Sequence, residues 1–528
     1  MTHLAVSIMV QNLDQALAGA ALAAEQGADL VEFRIDAFTD RPDLVAVLAE
    51  RSALPCIITC RPDWEGGAFS GDEATRLRLL EGLADTARPP SYIDLELAAI
   101  QRTPDLRRAA AQVVDHPGQL RPTSTGLIFS SHDFESRPID LYQRIEAMAA
   151  APLCRVIKVA WMARTIRDNL EAFEIIAQRH KPTIALCMGE DGLASRVLAR
   201  KFGALLTFAC LDAGAATAAG QPTVPQLKQL YRWDAINEET RVYGVIGDPV
   251  GHSMSPAIHN AGFGDTGYDG IYLPLRIDAS YESFKATVAS WLGLEGLHFS
   301  GASVTIPHKE NLLRFVREAG GEVEPLAERI GAANTLAVAV DGALSASNTD
   351  YAAALDAVCD RLQCTRDGLA GERVAVIGAG GAARAVVAGF AHHGATVVVY
   401  NRTFEKAEAL AAQCADEPGK VVAARLEKLC DSCCRIYINC TPIGMHPQTD
   451  GTPLPDERPR GWGAGTVVFD TIYNPVETRL LREARADGCE IISGVDMFVR
   501  QAAAQFELWT GTAAPRGLFR RVVMEMLG

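Results

Sequence analysis

Four things are scarce in this 528-residue sequence, and each scarcity removes a class of function. Basic charge is in deficit: 50 Lys and Arg against 65 Asp and Glu leave a net charge of −15. A chain that grips nucleic acid needs cations along a face to neutralise phosphates, so no nucleic-acid partner is expected. Small anionic substrates remain open, since they need only a few local Arg or Lys. No apolar run approaches the ~20 residues that cross a bilayer, so no membrane partner is expected. Met1 leads into Leu4-Ala5-Val6-Ser7-Ile8-Met9-Val10 with no basic stretch and no cleavage signal, which predicts a cytoplasmic protein. The thirteen cysteines are odd in number and scattered through apolar runs such as Cys56-Ile57-Ile58-Thr59-Cys60, which predicts reduced, mostly buried thiols. Cys430-Asp431-Ser432-Cys433-Cys434 carries one C-x-x-C spacing, but no second pair or ligand-spaced histidines follow, so no metal is expected. Nothing marks an obligate protein partner.

What is present is an ordinary globular composition, 48% hydrophobic and 22% charged, in a chain too long for one core. The first ~230 residues alternate β-rich runs with helical stretches. Strands are predicted at Leu4–Val10, Leu30–Ile35, Pro55–Cys60, Tyr92–Leu97, Gly126–Ser130, Arg155–Ala160, Thr183–Cys187 and Leu205–Ala209, with helices such as 16–28 and 169–179 between them. Eight β-α repeats in this length are what a (β/α)8 barrel requires. The pattern breaks in a polar stretch between Tyr231 and Arg241, and a new strand starts at Val242. A domain boundary is expected there.

In such a barrel the reactive groups sit at the C-terminal ends of the strands. Those ends carry Arg34, Arg61, Glu65, His132, Lys158 and, in a following loop, Arg196. Lys158 lies among apolar neighbours, so its ammonium is expected to be partly desolvated. As a free amine it can attack a ketone and form an imine that acidifies the adjacent carbon. His132 can then move protons, oriented by Glu65, while Arg34 and Arg196 offer forked donors to a substrate carboxylate. Together these describe removal of water from a hydroxy-keto acid. Val31-Glu32-Phe33-Arg34-Ile35-Asp36, Thr59-Cys60-Arg61-Pro62, Ser131-His132-Asp133-Phe134, Ile157-Lys158-Val159-Ala160 and Met188-Gly189…Ser195-Arg196 resemble the type I 3-dehydroquinate dehydratases. The resemblance implies Lys158 as the Schiff-base lysine and His132 as general acid and base, with Glu65 as its partner. It implies Glu32, Arg34, Arg61, Arg196, Thr217 and Gln221 as substrate contacts. The family's last loop reads Ser-x-Pro-Gly-Gln, whereas this chain has Thr217-Ala218-Ala219-Gly220-Gln221. Loss of the proline predicts a looser lid.

In the second half, Val376-Ile377-Gly378-Ala379-Gly380-Gly381-Ala382-Ala383-Arg384 follows a strand and opens a helix, the arrangement that brings a pyrophosphate to helix-terminal amides. The next strand ends in Asn401-Arg402-Thr403, with no acid to hold the ribose of NAD. Arg402, with Lys406 one turn on, favours the 2′-phosphate of NADP. Ser253 and Ser255 are spaced to face one carboxylate, and Lys309 with Asp350 makes a proton-transfer pair suited to ketone reduction.

Gly251-His252-Ser253-Met254-Ser255-Pro256, Ser303-Val304-Thr305-Ile306-Pro307-His308-Lys309, Gly331-Ala332-Ala333-Asn334-Thr335, Asn348-Thr349-Asp350, Asn439-Cys440-Thr441-Pro442, Tyr473-Asn474-Pro475 and Ser493-Gly494-Val495-Asp496 resemble shikimate dehydrogenase. This implies Lys309 and Asp350 as the catalytic pair, and Ser253, Ser255, Thr305, Asn334, Tyr473, Gln501 and Gln505 as substrate contacts. It also implies Gly378, Ala379, Gly380, Gly381, Ala382, Asn401, Arg402, Thr403, Lys406, Thr441 and Gly494 as the NADP site. Tyr351, where the family often has a smaller residue, is expected to narrow the cleft mouth.

The expected architecture is therefore α/β: a TIM barrel over 1–232, a substrate-binding domain over 241–349 completed by 494–528, and a Rossmann NADP-binding domain over 350–493. The order of the halves is similar to that of the plant-type bifunctional family, which implies 3-dehydroquinate, 3-dehydroshikimate and shikimate as ligands. A regulatory protein built on these domains predicts lost catalytic residues, yet Lys158, His132, Lys309 and Asp350 are all present. An alternative is a second half that also oxidises quinate, with mixed substrate or cofactor use; the paired serines and Arg402 favour shikimate and NADP.

Overall fold

Eight runs rich in Val, Ile and Leu form β1 (His3–Met9), β2 (Leu30–Arg34), β3 (Cys56–Thr59), β4 (Tyr92–Glu96), β5 (Gly126–Asp133), β6 (Val156–Met162), β7 (Thr183–Met188) and β8 (Leu206–Ala209). The computed structural model in which they are seen describes residues 2–39, 41–83, 86–120, 123–178, 180–455 and 457–528. The eight strands make one sheet in the order β7-β6-β5-β4-β3-β2-β1-β8. Every paired neighbour in it runs parallel. The Leu205 amide, just before β8, donates to Thr183 O of β7 at 2.9 Å and brings the two ends of the sheet together as a nearly closed barrel. Each predicted strand is present, shifted by a few residues at its ends. The two helices fall at Leu13–Glu25 and Asp168–Ala177, and Arg179 lies outside the described residues.

Residues two apart on a strand share a face, and this alternation layers the barrel interior. Ala5, Leu30, Ile57, Ile128, Val156, Ile184 and Leu206 form an apolar floor. One step further along the same strands come Glu32, Asp94, Ser130 and Lys158, all buried. The polar layer is thus carried above a packed floor that closes the N-terminal end to water.

The chain divides into two compact units, Met1–Arg241 with Thr287–His298, and Val242–Ala286 with Phe299–Gly528. The second unit holds two sheets. The first runs β10-β9-β11-β13-β14-β12, from β9 (Arg241–Gly247), β10 (Gly270–Arg276), β11 (Phe299–Val304), β12 (Glu322–Val323), β13 (Thr335–Val338) and β14 (Leu344–Ser347). β9 and β11 are parallel, whereas β13 is antiparallel to both its neighbours. The last helices, Gly494–Thr510 and Arg516–Leu527, bury Val495, Phe506, Trp509 and Phe519 in the same core as Tyr243, Phe263 and Tyr272. The other sheet is wholly parallel in the order β17-β16-β15-β18-β19-β20. Its strands are β15 (Arg373–Ile377), β16 (Thr396–Asn401), β17 (Lys420–Arg425), β18 (Ile436–Asn439), β19 (Val467–Asp470) and β20 (Glu490–Ile492). The order reverses between β15 and β18, where doubly wound folds bind nucleotides.

Nine of the thirteen free cysteines are buried, while Cys433 is exposed and Cys430 partly so. No helix among the described residues is long and apolar enough to cross a membrane.

Candidate functional site

The polar layer of the barrel opens into a pocket lined by every residue expected there: Glu32, Arg34, Arg61, Glu65, His132, Lys158, Arg196, Thr217 and Gln221. Lys158 is 5% exposed and its Nζ lies 2.7 Å from Asp94 Oδ2, 3.3 Å from Glu32 Oε1 and 4.5 Å from the Phe208 ring centroid. The expected desolvation of its ammonium is seen, but the groups it meets are not its apolar sequence neighbours. Its sequence neighbours face outward into the barrel wall, and the inward face supplies two carboxylates that compensate its charge. Burial pushes Glu32 up, but Lys158 and Arg34 outweigh it and hold the carboxyl below its usual range. Asp94 is likewise driven down by Arg61 and Lys158 against its burial.

Asp94 and Glu96 are the residues that sequence reasoning missed. They alternate along β4 with buried Ile93 and Leu95, and an acid at every second position of a core strand was the available signal. Glu96 anchors Arg61 at 2.6 Å and also pairs with buried Arg76, while Asp94 holds Arg61 at 2.8 Å and accepts from Ser130 at 2.6 Å.

His132 presents Nδ1 to Glu65 Oε2 at 2.9 Å, and its amide donates to the same oxygen at 3.2 Å. Burial, with the nearby charges of Arg61 and Lys158, holds His132 well below its ordinary value as a neutral imidazole. Burial pushes Glu65 from 4.5 up to about 8. The folded chain therefore keeps a proton on Glu65 that the unfolded chain releases above pH 4.5. Stability from this proton is complete below 4.5 and is lost as pH rises through 8. Between 4.5 and 6.5 this loss is offset, because the unfolded chain takes up a proton on His132 that the folded chain refuses, so melting of the barrel is expected to fall between about pH 6.5 and 8, and Glu65→Gln to flatten that fall. Parallel slopes for the two proteins would contradict the assignment.

The three arginines expected to contact the substrate differ in what they already hold. Arg34 is forked onto Asp36 at 2.6 and 3.2 Å, and Arg61 is held by Asp94 and Glu96. Arg196 is 2% exposed, pairs with no acid, and its Nε has no hydrogen-bond partner among the described residues. Burial lowers it from its ordinary value to about 10, roughly 3 kcal/mol against the ion. An unpaired buried guanidinium is a receptor for an anion. Replacing it by methionine is expected to raise the thermal stability of the unliganded barrel and to weaken an anionic substrate by about 100-fold in KM. A lower melting temperature would show that Arg196 is structural.

The lid is tied to itself and to the turn after β7. Gln221 Oε1 accepts from the Thr217 amide at 2.9 Å, and Ala219 O accepts from Gly189 N at 3.0 Å. Gly220 has φ +69°, and a Cβ there would stand 2.1 Å from Gly189 O, so only glycine fits.

In the second unit a cleft of about 570 Å³ is lined by Ser253, Ser255, Thr305, Lys309, Asn334, Asp350, Tyr473, Gln501 and Gln505, again the full expected set, together with Ala382 and Gly494. Lys309 opens the helix Lys309–Glu318 and Asp350 stands in the first turn of Thr349–Leu362, whose N-cap Asn348 accepts from the Asp350 amide. Their side chains meet at 2.5 Å. Asn334 Nδ2 donates to Asp350 Oδ1 at 3.0 Å, and Gln505 donates to Asn334 O and to Thr335, so the pair is braced from a neighbouring strand and helix. The Ser255 amide donates to Ser253 Oγ at 3.2 Å, which leaves the Ser253 proton free for a ligand.

Tyr351 does not narrow this cleft. One residue beyond Asp350 it is turned about 100° around the helix. It lies buried against Gly389, with its hydroxyl on Glu324.

The nucleotide-binding elements stand at the C-terminal edge of the parallel sheet. Gly378 takes φ +112°, and Gly380 caps the helix Gly381–His392. Cβ atoms built on Gly380 or Gly381 meet nothing within 4 Å, so there is room for a phosphate at the helix terminus. Arg402 and Lys406 are exposed and make no ion pair among the described residues, and Asn401 Nδ2 donates to Thr403 O at 2.7 Å. β17 pairs Arg425 with Asn401 and adds a third basic side chain on this rim, unnoticed in the sequence. Thr441 is fixed through Asn439, which is bonded to Asp470 at 3.0 Å. A Cβ on Gly494 would stand 2.3 Å from the Ile472 carbonyl.

A barrel with a buried strand lysine beside a histidine–carboxylate pair, joined to a nucleotide-binding unit with a Lys–Asp pair in its cleft, defines a lyase and a dehydrogenase carried on one chain. The comparisons with known proteins agree. Residues 4–238 match the type I 3-dehydroquinase family, 245–336 the shikimate dehydrogenase substrate binding domain, 362–436 shikimate / quinate 5-dehydrogenase, and 494–524 the shikimate 5′-dehydrogenase C-terminal domain. The chain is 37% identical to the chloroplastic bifunctional 3-dehydroquinate dehydratase/shikimate dehydrogenase of Arabidopsis thaliana, over 98% of this chain and 83% of that one. It is 44% identical to the shikimate dehydrogenase (NADP(+)) of Methanosarcina mazei, over 54% of this chain and 99% of that one. A crystal structure of a shikimate dehydrogenase in complex with NADP+ superposes with a TM-score of 0.50 at 34% identity, covering 56% of this chain and 98% of that one. The chain belongs to the bifunctional 3-dehydroquinate dehydratase/shikimate dehydrogenase family.

Proposed function

We infer that the barrel half converts 3-dehydroquinate to 3-dehydroshikimate through an imine on Lys158, and that the second half reduces 3-dehydroshikimate to shikimate with NADPH. The carrying observation is that one chain holds two complete and chemically different sets: Lys158 with His132–Glu65 and an unpaired Arg196, and Lys309–Asp350 with a serine pair. In the barrel, Arg196 takes the substrate carboxylate, while Glu32, Arg34, Arg61, Thr217 and Gln221 surround the ring. Lys158 Nζ, freed of its proton, attacks the ketone, and water leaves as the imine forms. His132 takes a proton from the acidified carbon and returns one to the departing hydroxyl. Hydrolysis of the imine restores Lys158.

In the second site Ser253 and Ser255 hold the carboxylate, with Thr305, Asn334, Tyr473, Gln501 and Gln505 around the ring. Bound NADPH supplies the hydride. Lys309 gives its proton to the developing alkoxide, and Asp350 keeps the ammonium in place. Gly378, Ala379, Gly380, Gly381 and Ala382 cradle the pyrophosphate, and Asn401, Arg402, Thr403 and Lys406 meet the 2′-phosphate. Thr441 and Gly494 complete the cofactor site. This reading divides the chain into 1–232, 241–349 with 494–528, and 350–493. The many unpaired thiols support a reducing compartment, which we take to be the cytoplasm.

The test is a coupled assay with 3-dehydroquinate as sole substrate. Consumption of NADPH with shikimate as product is expected. NADH should be the poorer donor, and Arg402→Ala should narrow that preference by about tenfold or more. A chain that oxidises NADPH only when 3-dehydroshikimate is added would overturn the dehydratase half.

A further inference from the structure

Three cations stand on the rim of the parallel sheet, and none of them holds a protein anion. Arg402, Lys406 and Arg425 are all exposed and make no ion pair among the described residues. Around the same sheet other exposed arginines find acids: Arg435 meets Glu372, Arg458 meets Asp487 and Arg479 meets Glu483. Acids are plentiful in a chain of net charge −15, so cations left open on one rim create a local positive field that suits an anionic ligand.

Arg402 and Lys406 follow β16, whereas Arg425 ends β17. Val421 and Ala423 of β17, with Val397 and Val399 of β16, pack into the core that holds Ala407 and Leu410 of the helix Phe404–Gln413. A strand returns to the same face at every second residue, so Asn401 and Arg425, paired in register, emerge on this face where the sheet ends. There Phe404, the first residue of the helix, carries the Arg425 guanidinium over its ring, with Cζ 4.9 Å from the centroid. The ring attracts the cation, while the guanidinium N–H donors, which lie in its own plane, stay available to a ligand.

We propose that Arg425 is a specificity-determining residue for the cofactor, donating to the 2′-phosphate alongside Arg402, with Phe404 as the rest that positions its guanidinium. The proposal rests on the reading of the second half as an NADP-dependent enzyme. In a doubly wound sheet the adenosine ribose of a dinucleotide is met at the end of the second strand. Here that strand is β16, and β17 lies directly beside its end. A phosphate monoester carries close to two negative charges at pH 7, so one cation leaves it half neutralised. A second arginine from the next strand completes the compensation and adds another set of forked donors. The ribose of NAD offers only hydroxyls at this place and gains little from either. Phe404 limits the freedom of a long, exposed side chain, so less is lost when the phosphate is bound.

The experiment measures equilibrium binding to the full chain by calorimetry. The probe is adenosine 2′,5′-bisphosphate, and its control, lacking the 2′-phosphate, is adenosine 5′-monophosphate. In Arg425→Leu the bisphosphate is expected to bind about tenfold more weakly, with the monophosphate within about twofold of the unmodified chain. Retained monophosphate binding also shows that the variant is folded. Phe404→Leu, which removes no charge, is expected to weaken the bisphosphate about threefold. In the reductase assay the KM for NADPH should rise with the Arg425→Leu loss, while the KM for 3-dehydroshikimate stays unchanged. Equal losses for the two probes would overturn the assignment to the 2′-phosphate. Unchanged bisphosphate binding in Arg425→Leu beside a loss in Arg402→Ala would overturn the role of Arg425 alone. A loss in Arg425→Leu with none in Phe404→Leu would refute the positioned contact and leave only a diffuse field. An unmodified chain that binds the two probes equally would end the NADP reading itself, and this role of Arg425 with it.

Discussion

Replacing Lys158 by arginine should abolish dehydration of 3-dehydroquinate, by about 10⁴-fold or more, while reduction of added 3-dehydroshikimate continues unchanged. Arginine is the informative substitution because of what surrounds the site. Lys158 faces Asp94 at 2.7 Å and Glu32 at 3.3 Å, all three buried. Alanine would strand two carboxylates without their cation, at a cost of about 3–5 kcal/mol, and inactivity could then reflect a loosened barrel. Arginine keeps a positive charge beside both acids but cannot form an imine with a ketone. If Lys158 served only by its charge, the arginine variant would retain much of the rate. Borohydride added with 3-dehydroquinate should fix the substrate skeleton to Lys158 in the unmodified chain and to nothing in the variant, as mass spectrometry of peptides would reveal. Rapid dehydration by the arginine variant would end the imine reading, whatever the melting temperature.

How far the sequence disclosed this site depended on whether period or pairing decided each residue. Lys158 and His132 were legible because they stand at the strand ends where a barrel gathers its reactive groups, and Glu32 through the family resemblance. The eight strands were legible because β-rich runs alternate with helical stretches, with errors of a few residues at ends where the ladder frays. Asp94 and Glu96 were not singled out, although they alternate with core residues along their strand. Acids on a strand read alike whether they face solvent or core until the barrel closes around them. Arg34 and Arg196 were equivalent on paper. Asp36, two residues from Arg34, satisfies one of them, and no acid among the described residues pairs with the other. Tyr351 was misread because adjacency to Asp350 was taken as proximity to the cleft. On a helix the next residue points a quarter-turn away, here into the core against Gly389.

Removing the Lys309 ammonium should stop the second reaction as cleanly as the first is stopped at Lys158. Lys309→Met is expected to lower kcat for shikimate oxidation by about 10³-fold with little change in the KM for NADP+, since the group acts on the proton in flight and not on cofactor binding. Asp350→Asn should fall in the same range. The double variant should be close to either single one, because the two side chains, 2.5 Å apart and braced by Asn334, act as one unit. Additive losses would mean that they serve different steps. The dehydratase of the Lys309→Met chain should be untouched, so 3-dehydroquinate should be converted to 3-dehydroshikimate and accumulate there. That chain and the Lys158→Arg chain are then complementary halves of one sequence. Neither makes shikimate from 3-dehydroquinate alone. Mixed in equal amounts with NADPH, they should do so after a lag, because 3-dehydroshikimate released by one must reach the cleft of the other. A mixture that stays inactive, although each variant keeps its surviving half-reaction, would mean that the intermediate released at one site is not the ligand of the other, and the two-step reading would fall.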